Sequence, residues 1–251
     1  MKYNIKKFKK DAIQLRQKTF LHFIESGEAH LGGSFSIIEI LIYLLKFLIK
    51  KHHKFILSKA HASIPFCILL REFGNKNKLS THLEIDPKNG IHCTTGSLGH
   101  GLPISVGMAL ANKKQRLKRK IYTLISDGEC QEGTTWESFL IISRHNLNNL
   151  IVLIDYNKIQ ALTSLDEALP LGNLKKKIES FNINCIDVRN GHSFSQIHNA
   201  FSKLKKNKPN CIILNTTKSK GIKTFENDPI WHARKIKGND ILIGKIALGL
   251  K

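Results

Sequence analysis

An α/β fold, with a mainly parallel sheet covered by helices on both faces, is predicted by three features of the sequence. Short apolar runs at 55–57, 121–125, 150–154, 184–188 and 211–215 read as buried strands. Stretches of helical period alternate with them, as in successive βαβ units. Two of the runs end on polar residues, Ser126-Asp127-Gly128 and Asp155-Tyr156-Asn157, with one amphipathic segment between. Parallel pairing carries both endings to the carboxyl edge of the sheet, where such folds bind ligands.

The elements follow in order. Residues 6–26 are predicted as a helix with Phe8, Ile13, Leu15, Phe20 and Phe23 toward one side. A glycine-marked break over 27–33 precedes a second helix at 36–49, with Ser36 as its N-cap. The strand at 55–57 leads into a helix over 61–73. Residues 74–96 form an irregular stretch of a length that is usually functional or mobile. Helical period returns at 102–117, before the βαβ unit. The segment 160–172 has no strong periodicity, and a helix over 195–204 separates the last two strands. Without an internal repeat or a low-complexity linker, one domain over 1–251 is expected.

Composition narrows the function classes. A hydrophobic content of 41% fits a folded chain rather than disorder. The apolar segment 37–49 is too short to span a bilayer and contains Glu39 and Lys46. The basic start leads into an amphipathic helix and not into a signal-peptide core, so a cytoplasmic protein with no membrane partner is expected. Five cysteines without a Cys-x-x-Cys pair point to reduced thiols, with Cys130 as a small filler. The net charge of +21 comes from lysines spread along the chain on solvent faces, and no nucleic-acid motif accompanies them. The expectation is a solvated surface that helps steer phosphates, with no nucleic-acid partner.

Asp127 and Asn157 lie thirty positions apart. Their side-chain oxygens are hard ligands suited to Mg²⁺ or Ca²⁺, with phosphate oxygens to complete the shell. Gly128 lets the backbone approach a phosphate, and the helix after it directs free N–H groups at an anion. An Asp-Gly pair after a strand is equally an ordinary turn, so this pair does not decide the chemistry alone.

Further segments resemble the transketolase family over nearly the whole chain. Gly27-Glu-Ala-His-Leu-Gly-Gly-Ser34 is similar to its first His-containing loop, and Phe55-Ile-Leu-Ser-Lys-Ala-His-Ala62 to its FILSKGHA segment. Gly90-Ile-His-Cys-Thr-Thr-Gly-Ser-Leu-Gly-His-Gly101 resembles its TTGSLGxG loop. Asp127 with Asp155-Tyr-Asn-Lys-Ile-Gln160 resembles its cofactor motif. Thr216-Thr-Lys-Ser-Lys-Gly221 and Glu226-Asn-Asp-Pro-Ile-Trp-His232 resemble its closing KGKG…EN…WH segment.

The resemblance implies thiamine diphosphate and Mg²⁺ (or Ca²⁺ or Mn²⁺) as cofactors. It implies transfer of a two-carbon ketol unit from a ketose phosphate to an aldose phosphate. By resemblance, Asp127, Asn157 and the backbone carbonyl of Ile159 hold the metal. His61, His232, Gly96, Ser97, Leu98, Ser126, Gly128 and Glu129 contact the coenzyme. His30, His82, His100 and His232 serve the reacting substrate, where imidazole suits proton movement near neutral pH. Glu132 and Glu137 fall at a subunit interface. The diphosphate charge is expected to be offset by the metal, the helix start and histidines, without a lysine clamp.

The family's pyrimidine-binding domain, with its activating Glu, has no counterpart before Lys251. This implies the N-terminal subunit of a split transketolase, completed by a separate C-terminal, pyrimidine-binding subunit, in an α2β2 heterotetramer. Ser126, Ala60 and Ser219 stand where the family carries glycine, and His53 where it carries an acid. These departures keep a non-catalytic scaffold subunit of the same assembly open as an alternative. A deoxyxylulose-phosphate-synthase-like enzyme is a more distant one.

Overall fold

A computed structural model describes residues 3–50, 52–161 and 163–251. Strands β1 (Lys54–Leu57), β2 (Ile121–Ser126), β3 (Leu150–Tyr156), β4 (Asn184–Val188) and β5 (Asn210–Asn215) form a wholly parallel sheet in the order β1-β2-β3-β5-β4. The helices are α1 (Ile5–Ser26), α2 (Leu31–Ser36), α3 (Ile38–Tyr43), α4 (Ile64–Glu72), α5 (Gly101–Lys114) and α6 (Gly133–Arg144), then α7 (Leu165–Ala168), α8 (Leu174–Ser180), α9 (Phe194–Ser202) and α10 (Asn239–Ala247). Among the described residues, no helix is long and apolar enough to cross a membrane.

The strands explain the two covered faces. Leu124, Ile151, Leu153, Ile212 and Leu214 belong to the core shared with α1, α3, α4 and α9. Their neighbours Ile125, Val152, Ile154, Cys211 and Ile213 belong to the core shared with α5, α6 and α8. Side chains alternate across a strand, so a continuous apolar run feeds both cores at once. Each fully buried Leu or Ile contributes about 1.5–3 kcal/mol. All five cysteines are free and buried, and burial pushes the Cys130 thiol well up, which fits an inert filler.

The second helix expected from sequence needs correction, and the rest of the chain gains detail. The second helix starts at Leu31 and not at residue 36, because His30 takes the left-handed conformation (φ 75°) and turns the chain early. Ser36 therefore caps nothing. Its hydroxyl lies 2.9 Å from the Gly33 carbonyl and 2.7 Å from the Asp155 carboxylate. The stretch at 160–172 contains α7, opened by a Ser164/Glu167 capping box, and α8 and α10 lie beyond the elements expected from sequence. The long excursion at 74–96 is organised by antiparallel bridges, Leu83 with Thr95 and Asp86 with Ile91.

Helices α1 and α3 are tied by a buried ion pair. Arg16 grips Glu39 at 2.7 and 2.9 Å, and His192 Nδ1 sits 2.9 Å from the same carboxylate. Burial alone would raise the pKa of Glu39. The charge of Arg16, then the bond from His192, outweigh this and hold it at about 2, below the ordinary 4.5. A depressed folded-state value stabilises above 4.5 and is lost as the pH falls toward 2. Denaturation midpoints should therefore drop over that window, on the order of 3 kcal/mol from this group. Glu39→Gln should flatten that part of the profile, and an unchanged slope would contradict the assignment.

Candidate active site

Parallel pairing brings four strand ends to one edge of the sheet. Ser58 and Lys59 follow β1, Asp127 follows β2, Asn157 follows β3, and Thr216 to Lys218 follow β5. At their centre is Asp155, fully buried in β3. Its carboxylate pairs with the Lys59 ammonium and accepts the Ser36 and Thr216 hydroxyls. Burial would raise its pKa, but Lys59 outweighs that and keeps it below the ordinary value. Asn157 Nδ2 donates to Asp155 at 3.1 Å. A carboxylate only accepts, so this contact fixes the amide with its oxygen turned the other way, where it receives the Ile159 N–H at 3.1 Å.

Asp127 joins the loops after β2 and β3. One oxygen accepts the Gly128 N–H at 2.9 Å, and the other accepts the Lys158 N–H at 2.6 Å. Lys158 has φ 65°, an uncommon conformation for a non-glycine residue that presents this N–H. Burial, followed by the nearby charge of Asp155, pushes Asp127 up to about 6. Lys59 is committed to Asp155, and no ion pair to Asp127 forms among the described residues. The result is a buried carboxylate short of a counter-cation.

The Lys218 ammonium lies 3.0 Å from each of the Ile159 and Gln160 carbonyls and 3.0 Å from His232 Nδ1. Burial, then the charge of Lys59, lowers Lys218 to about 8. Burial, then Lys218, lowers His232 to about 3. An ammonium only donates, so His232 Nδ1 accepts and the neutral ring carries its proton on Nε2. His30, His61 and His232 form a triangle with ring centres 5.3–5.5 Å apart. Burial also pushes His61 well below the usual range, and His30 in the same direction. Among the described residues, the Nδ1 of His30 is buried without a hydrogen-bond partner.

Of the residues named from sequence, His61, Leu98, Ser126, Asp127, Gly128, Glu132, Asn157, Ile159 and His232 line one cavity of about 200 Å³. His30 adjoins it through the other two rings. Glu129 is completely buried behind it, where its carboxylate binds Ser58 Oγ, the Gly99 N–H (3.2 Å) and the Ser126 N–H (2.8 Å). It pins three loops together and does not face the cavity. Gly96, Ser97, His82, His100 and Glu137 do not line the cavity either. His82 is exposed beside Gly96, His100 is exposed beside Ser97 and the Leu98 carbonyl, and Glu137 is exposed on α6.

Two lysines, Lys59 and Lys218, also line the cavity, contrary to the expectation of no lysine clamp. Both sit inside the motifs already quoted, Ser58-Lys-Ala-His61 and Thr216-Thr-Lys218. Position in those motifs is their only signal in the sequence, and forty Lys and Arg residues along the chain hide it.

Gly32 is forced by close packing. A β-carbon there would fall 2.8 Å from the Trp231 carbonyl and 2.9 Å from Lys218 Cγ. Gly32→Ala should displace the His232 segment and destabilise by about 1–3 kcal/mol. Thermal unfolding checks this, and an unchanged midpoint would show that the 32/231 contact is slack.

The family profile described as "Transketolase, thiamine diphosphate binding domain" matches residues 49–251. The chain belongs to the transketolase family. The apulose-4-phosphate transketolase subunit from Actinobacillus succinogenes is 32% identical over 264 residues, covering 95% of each chain. The 6-deoxy-6-sulfo-D-fructose transketolase subunit SqwG of Clostridium sp. is 34% identical, covering 88% of this chain and 89% of the relative. The crystal structure of Campylobacter jejuni transketolase superposes with a TM-score of 0.86 at 25% identity, over 99% of this chain and 44% of that one. The chain thus spans under half the length of that solved transketolase and nearly the full length of the two subunit relatives.

Two departures from the transketolase pattern have a local explanation. The Ser126 hydroxyl is turned to Glu129, 3.2 Å from its carboxylate. Ser219 adopts φ 60°, a conformation that glycine takes without strain, and its N–H donates to the Gly32 carbonyl at 3.1 Å.

Proposed function

We propose that this chain is the diphosphate-binding subunit of a transketolase-type transferase, moving a two-carbon ketol unit from a ketose phosphate to an aldose phosphate. The observation that carries the reading is that Asp127, Asn157 and Ile159, each with an oxygen to offer, line one cavity together with Lys59, Lys218, His61 and His232.

The donor set fits a hard divalent ion. Three oxygens of three kinds are available, and Asp127 lacks a counter-cation. Mg²⁺, or Ca²⁺ or Mn²⁺ in its place, would be held by Asp127, Asn157 and the Ile159 carbonyl. The carbonyl now accepts from Lys218 and has a second lone pair to offer. The diphosphate of the coenzyme would lie against Gly128, His61, His232 and the Lys218 ammonium, whose charge suits it. When bound, thiamine diphosphate supplies the nucleophilic carbon needed to break and remake a bond beside a carbonyl.

The protein's own groups supply position and protons. Neutral His232 holds a proton on Nε2 that it can give at a sugar hydroxyl, and His30 packs edge-on against it with ring centres 5.3 Å apart. Glu129 keeps the loops after β1 and β2 and the Gly99 turn in register. The partner would be a pyrimidine-binding subunit, in a cytoplasmic α2β2 assembly. A cavity of about 200 Å³ is small for a whole coenzyme site, in line with one half of a shared site. Leu140 stays exposed on α6, the helix that carries Glu137, which supports a subunit contact there. The relatives named as subunits point the same way.

Reconstitution with the pyrimidine-binding chain tests the reading. The mixture should bind thiamine diphosphate with Mg²⁺ and transfer the ketol unit. Ordinary turnover by this chain alone would refute the split site, and failure of the mixture to bind the coenzyme would refute the enzyme reading.

A further inference from the structure

Arg16, Glu39 and His192 lie outside the cavity, yet they hold both ends of the turn that enters it. Glu39 is 6% exposed and Arg16 7% exposed. Arg16, besides gripping Glu39, donates its Nε–H to the Lys220 carbonyl at 2.8 Å. His192 Nε2 lies 2.8 Å from the Thr217 nitrogen. A backbone N–H can only donate, so Nε2 is unprotonated, and the ring proton sits on Nδ1 and points at Glu39. One carboxylate thus orients two side chains. One takes hold of the backbone just before Lys218, and the other takes hold just after Ser219.

Burying an Arg, a Glu and a His together is an expensive way to fill a core, because apolar groups of the same volume are often as stable or more so. The directional bonds are what apolar groups could not supply. Between the two holding points, Ser219 keeps its strained φ 60°, and the Lys218 side chain reaches the Ile159 and Gln160 carbonyls. Lys218 is a long, flexible side chain whose placement depends on its backbone.

We propose that Arg16, Glu39 and His192 act as a positioning relay that fixes the turn over residues 217–220 and so aims the Lys218 ammonium into the diphosphate cavity. The inference rests on the coenzyme reading of that cavity. His192 is a positioning residue here and touches no substrate.

The test is a double-mutant cycle in the complex with the partner subunit, at saturating Mg²⁺, read as the Kd for thiamine diphosphate by calorimetry. Lys218→Met should weaken binding about tenfold, the usual loss of a charge-assisted contact. His192→Leu should weaken it by a similar factor. His192→Gln presents one acceptor and one donor, as the ring does, and should recover most of the affinity. In the Lys218→Met background, His192→Leu should add less than about twofold, because the relay then has nothing to aim.

A second readout needs no coenzyme. Amide exchange at Thr217 in the coenzyme-free complex should speed up about tenfold in His192→Leu. If the Leu variant fails to fold, His192→Asn keeps a polar group for Glu39 but falls short of Thr217, and the same losses are expected of it. Faster exchange at Thr217 with unchanged affinity, or full additivity with Lys218→Met, would overturn the relay. Unchanged affinity in Lys218→Met itself would overturn the reading of the cavity, while the exchange result would still report whether His192 holds the turn.

Discussion

Replacing Asp127 by Ala should weaken Mg²⁺-dependent binding of thiamine diphosphate by at least about 100-fold and abolish ketol transfer in the reconstituted complex. Loss of groups that merely support a metal ligand already costs about 10–100-fold. Asp127 would be a ligand itself, and it also receives the Gly128 and Lys158 N–H groups that shape both cavity loops. Removing it strips a charge from the metal site and frees the loop that presents Asn157 and Ile159. Asp127→Asn separates the two effects, since it keeps one acceptor but not the charge. Calorimetric titration with and without Mg²⁺ measures both. If either variant binds the coenzyme as the parent does, Asp127 is not a ligand.

The second large effect concerns the ion pair beneath the site. Asp155→Ala leaves the Lys59 ammonium buried without a counter-charge, and it strands the Thr216 hydroxyl and the Asn157 amide, while Ser36 keeps the Gly33 carbonyl. Breaking a buried pair in this way typically costs about 3–5 kcal/mol. For a chain of this size the melting temperature should fall by about 10 °C or more. The double variant Lys59→Met with Asp155→Leu should regain much of the stability, because two apolar groups need no pairing. It should not regain coenzyme binding, since Asn157 then keeps only the Ile159 N–H to orient its amide and the cavity has lost Lys59. Thermal denaturation and titration of the same samples separate the outcomes. Recovery of both properties together would show that Asp155 has no orienting role.

The parts of the site legible in the sequence are those fixed by strand ends. A run such as 121–125 can be little other than a buried strand, and the parallel pairing that follows from it dictates where Asp127 and Asn157 go. The start of α2 is not legible, because Ser36 has the chemistry of an N-cap and only the folded chain shows a carboxylate competing for its hydroxyl. Glu129 misleads by adjacency. Next to Asp127 and Gly128 it looks aimed at the ligand, but the tight turn over Gly128–Gln131 sends it back to Ser58 and Gly99. Lys59 and Lys218 do not stand out because burial is what distinguishes them, and a lysine-rich sequence gives no sign of burial. Helix α7 is too short to show a period, and its capping box is its only local mark.

The most direct test of the metal site is a crystal of the reconstituted complex with thiamine diphosphate and Mn²⁺, read by anomalous scattering. A single manganese peak should lie within coordination distance of an Asp127 carboxylate oxygen, Asn157 Oδ1, the Ile159 carbonyl and the diphosphate oxygens, with the Lys218 ammonium beside the diphosphate. A manganese peak elsewhere, or bound coenzyme with Asp127 and Asn157 turned away from any ion, would contradict it.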